Sequence, residues 1–285
     1  MSSPQPISAV QKGARGVTEN QSVERDMLSC PTADPPEEVA EHISDSVLAL
    51  YDVYSYRHAA AILGSSFPEE LREIERALLE FRITTRDIAM PGGNESVIPK
   101  QFSSILRTLD WHETQIKGDL TVHVIKNEAI GTNRGSVRER EIDDDANLVL
   151  PNYVDAHRID YVKGRVALDL EWNSKDQTYD RDLYAFRMFH ECGLISVGVL
   201  ITRSEKLNPV FERIPSRDKE GNIERMPDGK PRSCKRKYGA STTWMGKLIY
   251  RLEARRHGGC PVLVFGIRPE VITDLDRRES GNESI

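Results

Sequence analysis

Residues 165–173 read Arg-Val-Ala-Leu-Asp-Leu-Glu-Trp-Asn. Side chains of a strand alternate between its two faces, so Val166, Leu168, Leu170 and Trp172 share one side, while Ala167, Asp169, Glu171 and Asn173 share the other. Two acids at alternate positions are, taken alone, ordinary solvent-facing polarity. A third is brought in by the residues just before. Arg158–Val162 also has strand character, and Lys163-Gly164 between the two runs reads as a two-residue hairpin turn. That turn would pair Val162 with Arg165, Tyr161 with Val166 and Asp160 with Ala167. Asp160 then lies on the face of Asp169 and Glu171, diagonally about 7–8 Å from Asp169. Three like charges so close are costly unless a cation neutralises them. Hard oxygen ligands select Mg²⁺, with Mn²⁺ as a substitute, over zinc.

The elements around the hairpin are those of an α/β chain. Helical spacing of Val39, Ile43, Val47 and Leu50 predicts a helix from about Glu37, and Pro68–Phe81 has Pro and acids at its start with an apolar stripe behind. A third helix is expected over Lys100–Leu109, a strand over Leu120–Ile125, and a polar loop over Gly131–Asp145. After the hairpin come a helix (Asp180–Cys192), a buried strand (Leu194–Thr202), a polar stretch (Glu205–Gly239), a helix (Thr242–Arg256) and a buried strand (Val262–Ile267). Residues 1–36, rich in Ser, Pro, Gln and Gly, are expected to form a disordered tail. One domain is expected over 37–275, with a helical, dimer-forming part at 37–150, a core at 151–204 and 240–270, and a polar insertion at 205–239. Residues 276–285 are expected to be a flexible end.

With 285 residues, 38% of them hydrophobic and 29% charged, the chain suits a globular protein, and no apolar run reaches bilayer length. Neither a signal peptide nor zinc-spaced cysteines are evident among Cys30, Cys192, Cys234 and Cys260, so a cytoplasmic protein with free thiols is expected. The net charge of −6 is uneven: residues 1–45 hold 3 basic and 8 acidic residues, whereas 202–257 hold 15 basic and 7 acidic. The later third can therefore face phosphates.

The run Arg158–Asn173 resembles the active-site hairpin of the BglII/BstYI group of type II restriction endonucleases, within the PD-(D/E)XK nucleases. The likeness continues through the helix after Asp180, the strand Ile195–Thr202 and Pro261–Pro269, and returns weakly in Phe67–Leu79. It implies a restriction-endonuclease-like α/β (α+β) core, a mixed five-stranded sheet flanked by helices. It also implies a homodimer that hydrolyses duplex DNA at a palindrome with Mg²⁺ and leaves 5′-phosphates. By position Asp160 and Asp169 match the family's two acids. Glu171 stands where BglII and BstYI have Gln, BamHI has Glu and the general motif has Lys. Asn173 and, on the early helix, Glu73 are auxiliary candidates.

Lys175 and Gln177, just beyond the strand, are placed to read bases. Lys235, Arg236 and Lys237 with Ser241, Thr242 and Thr243 form a basic, hydroxyl-rich approach to a helix start, suited to phosphate. Solvated loops would account equally for both groups. Motifs for nucleotide binding are missing, so no nucleotide cofactor and no membrane partner are expected. Two alternatives share the resemblance: a repair or mobile-element nuclease of looser specificity, and a DNA-binding protein that has lost catalysis.

Overall fold

The computed structural model of the chain describes residues 33–92, 97–129, 137–141, 148–155, 157–239 and 241–275, with the backbone alone described for 125–129 and 137–141. The expected tail lies outside the described residues as far as Thr32, and the C-terminal stretch 276–285 lies outside them entirely. At the tail's expected end, Asp34 is already engaged: its carboxylate accepts from the backbone N–H of His58 at 2.9 Å.

The helices before the hairpin are α1 (Pro36–Ala40), α2 (Asp45–Leu48), α3 (Ala59–Ser66), α4 (Pro68–Glu80), α5 (Thr85–Ala89) and α6 (Val97–Leu106). The strands are β1 (Tyr51–Tyr56), β2 (His112–Thr114), β3 (Lys117–Val122), β4 (Ile125–Ala129), β5 (Val137–Glu141), β6 (Leu148–Asp155), β7 (Ile159–Lys163), β8 (Val166–Glu171), β9 (Val197–Arg203) and β10 (Val262–Ile267). Helices α7 (Thr178–Glu191), α8 (Asn208–Arg213), α9 (Cys234–Tyr238) and α10 (Met245–Glu253) complete the set.

A mixed six-stranded sheet runs in the order β1-β10-β9-β8-β7-β2. Its three middle strands, β8, β9 and β10, are parallel, and antiparallel strands flank them. The expected mixed α/β core is therefore present, with six strands instead of five. The membership differs as well. Leu120–Ile125, expected as a sheet strand, falls in a separate β3–β6 pair, whereas Tyr51–Tyr56 and His112–Thr114 form the two edges. Neither edge strand announces itself: Tyr51–Tyr56 follows an apolar helical pattern without a break, and β2 is three residues long. Within the expected loop 131–145, residues 137–141 pair with 125–129 as a β4–β5 ribbon.

Two apolar layers sandwich the sheet. On one side Val166, Leu168 and Leu170 meet α4 and α6 through Ile74, Leu78 and Phe102. On the other, Ala167, Leu200 and Val264 meet α7 and α10 through Tyr179, Phe186, Phe189 and Leu248. β8 is buried on both faces, so the face carrying Asp169 is packed under a helix. The close seat of α7 requires Gly198 on β9, where an added Cβ would collide with the Phe186 ring. Replacing Gly198 by Ala should destabilise the fold by about 1–3 kcal/mol through overpacking. Chemical denaturation of Gly198→Ala checks this, and adding Phe186→Leu should recover part of the loss. An unchanged midpoint for the single variant would mean that α7 does not depend on the close approach.

Candidate active site

The hairpin forms with a turn one residue later than expected. Lys163 pairs with Val166, Val162 with Ala167 and Tyr161 with Leu168, so Gly164 and Arg165 are the turn residues. Gly164 has φ 53°, the left-handed value that the first central position of a type II′ turn demands and that glycine adopts without a Cβ clash. The corrected register sets Asp160 level with Asp169. β7 also carries an extra residue: Ile159 and Val162 oppose Thr114 and His112, leaving Asp160 and Tyr161 against Glu113 alone. Such a bulge lets a strand turn away from its neighbour. The freed backbone N–H of Asp160 donates to Asp169 Oδ1 at 2.6 Å, and the Asp160 carboxylate accepts from the backbone of Leu170. Asp160 thus joins Asp169 by this reciprocal clamp, with no need of strict alternation.

Glu171 ends β8 beside Thr202 of β9. Thr202 Oγ1 donates to the Glu171 carbonyl at 3.0 Å, which leaves the Tyr179 hydroxyl as donor in its 2.6 Å bond to Thr202. The Glu171 side chain accepts from Ser174 and adjoins a fourth acid, Asp182 of α7. Sequence reasoning missed Asp182. Its signal was an acid among the inward residues Tyr179, Leu183, Phe186 and Phe189 of an amphipathic helix.

All four carboxyls are pushed above their ordinary range. Burial is the main cause for each, and mutual repulsion adds to it. Asp169 and Asp182 are raised most: Asp160 and Glu171 repel the former, and Asp169, Glu171 and Asp160 the latter. Glu171 is raised by burial and Asp160. Asp160 has an exposed surface yet is hemmed in by protein, with Glu113 raising it and Arg107 lowering it. Asp169 Oδ2, Glu171 Oε2 and Asp182 Oδ2 are buried without a hydrogen-bond partner. So is Asn173 Oδ1, on a residue of left-handed φ just past β8.

Among the described residues no group of three or more His, Cys, Asp or Glu side chains is arranged to hold a metal ion. The donor set nonetheless fits a hard divalent cation: it is all oxygen, excess in negative charge, and its free oxygens are held by no competing donor. Asp160, Asp169 and Glu171 would hold such an ion. A cleft of about 740 Å³ opens at this point, walled by Asp160, Glu113, Arg107, Trp172, Asn173 and Ser174.

The other expected site residues divide. Glu73 sits at the turn end of the hairpin, bound to Lys163 Nζ at 2.7 and 2.8 Å and to Trp111 Nε1 at 2.9 Å, so it does not join the carboxylates. Lys175 pairs with Thr242 as a β-bridge, and Asp176 N–H and Thr243 N–H bond Ser241 and Ser174 carbonyls at 2.9 Å. This brings Lys175, Gln177 and Ser241 to one exposed edge beside Glu171. Thr242 and Thr243 are buried there, and Arg203 grips the Thr242 hydroxyl and the Thr243 carbonyl at 3.1 Å, so neither hydroxyl faces a ligand. Lys235, Arg236 and Lys237 lie within α9 and do not lead into a later helix start. Lys235 pairs with Glu212, and Lys237 with Glu224 at 2.8 Å, while Arg236 is exposed.

The raised carboxyls set a pH dependence. A carboxyl whose folded pKa exceeds its unfolded value gains protons on folding, so its stabilisation is complete below the unfolded value near 3.8 and is lost as pH rises through the folded one. In chelator, the Tm of the wild type should therefore fall, as pH rises above the ordinary carboxyl range, more steeply than that of Asp169→Asn. The asparagine variant should be the more stable protein at the upper end. Thermal melts of both across that rise decide it; parallel curves would show that Asp169 carries no such strain.

A family model described as Restriction endonuclease BglII/BglIII matches residues 51–267, a span holding the whole sheet and all four carboxylates. No curated protein matches the chain.

Proposed function

The chain belongs to the BglII/BglIII restriction endonuclease family, and we propose that it is a Mg²⁺-dependent type II enzyme that cuts duplex DNA at a short palindrome, leaving 5′-phosphates. The observation carrying this reading is the meeting of Asp160, Asp169 and Glu171, with Asp160 on the wall of the cleft and the other two buried behind it. Family membership already makes the protein an endonuclease that binds duplex DNA. The metal, the site specificity and the end chemistry are the further steps proposed. A homodimer in the cytoplasm, paired with a modification enzyme, completes the reading, because cutting both strands of a palindrome calls for two sites on a twofold axis.

A phosphodiester repels hydroxide through its own negative charge. A bound divalent cation supplies the opposing charge and acidifies water. Asp160 and Asp169 would hold the ion at the cleft edge, where the DNA backbone would pass. Glu171 would orient the attacking water and take its proton. Water's oxygen then bonds to phosphorus, the bond to the 3′ oxygen breaks, and that oxygen leaves as a hydroxyl after taking up a proton. Asn173, a neutral group on the cleft wall, is suited to contact the phosphate without adding repulsion.

Glu171 in place of the motif's lysine means that this position offers an acceptor instead of a cation. Its surroundings agree: Ser174 donates to it, and no Lys or Arg is among the groups acting on it. DNA contacts follow from the edge beside it, with Lys175 and Gln177 reading bases and the exposed Arg236 of α9 meeting phosphate.

Asp160→Ala, Asp169→Ala and Glu171→Ala should each lower Mg²⁺-dependent cleavage by at least about 100-fold, the scale on which lost transition-state electrostatics is felt. Binding of duplex DNA in Ca²⁺ should persist. Wild-type turnover by any purified variant would remove that residue from the mechanism.

The α9 cations are separable in a second experiment. Arg236→Ala should reduce the slope of log affinity against log salt by about 0.9 if the side chain meets one phosphate. Lys237→Ala should instead loosen the insertion, since Lys237 Nζ also binds the Arg217 carbonyl at 2.8 Å. An unaltered slope for Arg236→Ala would set α9 apart from the DNA.

A further inference from the structure

Helix α7 carries three acids besides the apolar stripe that seats it on the sheet, and their settings differ. Asp180 is held by Arg251 at 3.0 and 3.1 Å and also by Arg256. Glu191 is exposed and bound to Arg187 at 2.7 Å. Asp182 is 2% exposed, and its Oδ2 has neither hydrogen-bond donor nor cation. It stands between Tyr179, Leu183 and Phe186 on the buried face, and its carboxyl shares a hydrogen bond with that of Glu171, leaving Oδ2 unmet.

A side chain needed only to fill this space would be apolar or would have all its hydrogen bonds met, because a buried carboxyl oxygen without a donor is costly. Helix α7 has cations for its surface acids and gives none to Asp182. Two further buried oxygens, Asp169 Oδ2 and Glu171 Oε2, share that want in the same cluster. One small cation would answer all three, and the Asp160–Asp169 clamp already fixes the fourth member beside them.

We propose that Asp182 is a fourth carboxylate of the cation site, supplied by α7 and acting on the ion with Asp169 and Glu171. The inference rests on the cation-dependent reading of that site. Because α7 contributes a member, cation binding would also fix the helix against the end of β8, which links the ion to the packing of Phe186 and Tyr179.

The test is Mn²⁺ binding to the full-length protein after chelator treatment, followed by electron paramagnetic resonance of the free ion, for wild type, Asp182→Asn and Asp169→Asn. Asp182→Asn keeps the volume and should fold, with a Kd for Mn²⁺ weakened by about tenfold or more. The Mn²⁺ concentration for half-maximal cleavage should move by a like factor. If Asp182→Asn does not fold, Asp182→Glu and Asp182→Ser replace it: glutamate should bind Mn²⁺ at least about tenfold more tightly than serine. A Kd within about twofold of wild type for Asp182→Asn, beside a weakened Asp169→Asn, would overturn the role of Asp182 and leave the site standing. Wild-type Kd values for both variants would overturn the cation site itself, and this inference with it.

Discussion

Four carboxylates crowded at the end of a central strand repel one another, and the fold is arranged to hold them there. Left to themselves, Asp160, Asp169, Glu171 and Asp182 would separate into water, where their charges cost little. They are kept together because each is anchored by backbone that has other reasons to stay. Asp169 and Glu171 ride on β8, which is paired on both edges and buried on both faces. Asp160 is tied to Asp169 by the bulge in β7, and Asp182 is fixed by a helix whose aromatic stripe fills the second core layer. The repulsion is thus borne by apolar packing on either side of the sheet, in keeping with the way strained groups persist at functional sites.

The same constraint explains the supports around the strand's end. The chain from Tyr179 through Thr202 to the Glu171 carbonyl locks α7 and β9 to β8. Behind it, Arg203 is buried with its guanidinium 4.3 Å from the Phe211 ring centroid and bonded to Thr242 and Thr243. Burial lowers its pKa to about 10, still well above neutrality, so it stays a cation in the core. It pins the 242–243 segment, which in turn pairs with 174–176 just past Glu171. A positive charge is therefore used to brace the frame of the acid cluster through the backbone behind it, while Asp169, Glu171 and Asp182 have no Lys or Arg among the groups that act on them most.

The hairpin was legible in the sequence because its signals are local: alternation in Val166–Asn173, Gly164 for the turn, and acids at fixed offsets. The expected register was off by one turn residue, yet Asp160 still met Asp169, because moving the turn by one residue changes the partner by two positions and preserves parity. The bulge that refines this was invisible, since an extra residue in one strand is defined only by its partner, here Glu113. Edge strands were missed for a related reason: Tyr51–Tyr56 pairs with β10, more than two hundred residues away. Asp182 went unnamed because an acid on an amphipathic helix carries no local sign of being buried. Thr242 and Thr243 failed in the opposite sense, as hydroxyls beside a basic run that tertiary packing turned inward. Glu73 shows what resemblance alone transfers: a residue of the right type on the right helix, spent on Lys163 and Trp111.

The insertion at 205–239 follows a different economy from the core. Its surplus of positive charge suggested a face for DNA, but much of that charge is engaged within the segment itself. Lys237 ties Glu224 to the Arg217 carbonyl, Arg217 and Arg225 bind the carbonyls of Gly221 and Gly229 in its tight turns, and Lys235 is held by Glu212. A segment of this composition has few apolar residues with which to fold, so cation-to-carbonyl bonds take their place, and partly buried ones hold better than exposed pairs. Net positive charge in such a segment measures the need for internal bracing as much as attraction to phosphate. The exposed edge formed by Lys175, Gln177 and Ser241 is less charged but nearer the carboxylates, and it is braced by Arg203 without being consumed by it. If the proposed base contacts of Lys175 and Gln177 hold, this edge gives them a rigid support that the 205–239 segment, engaged in its own bracing, does not.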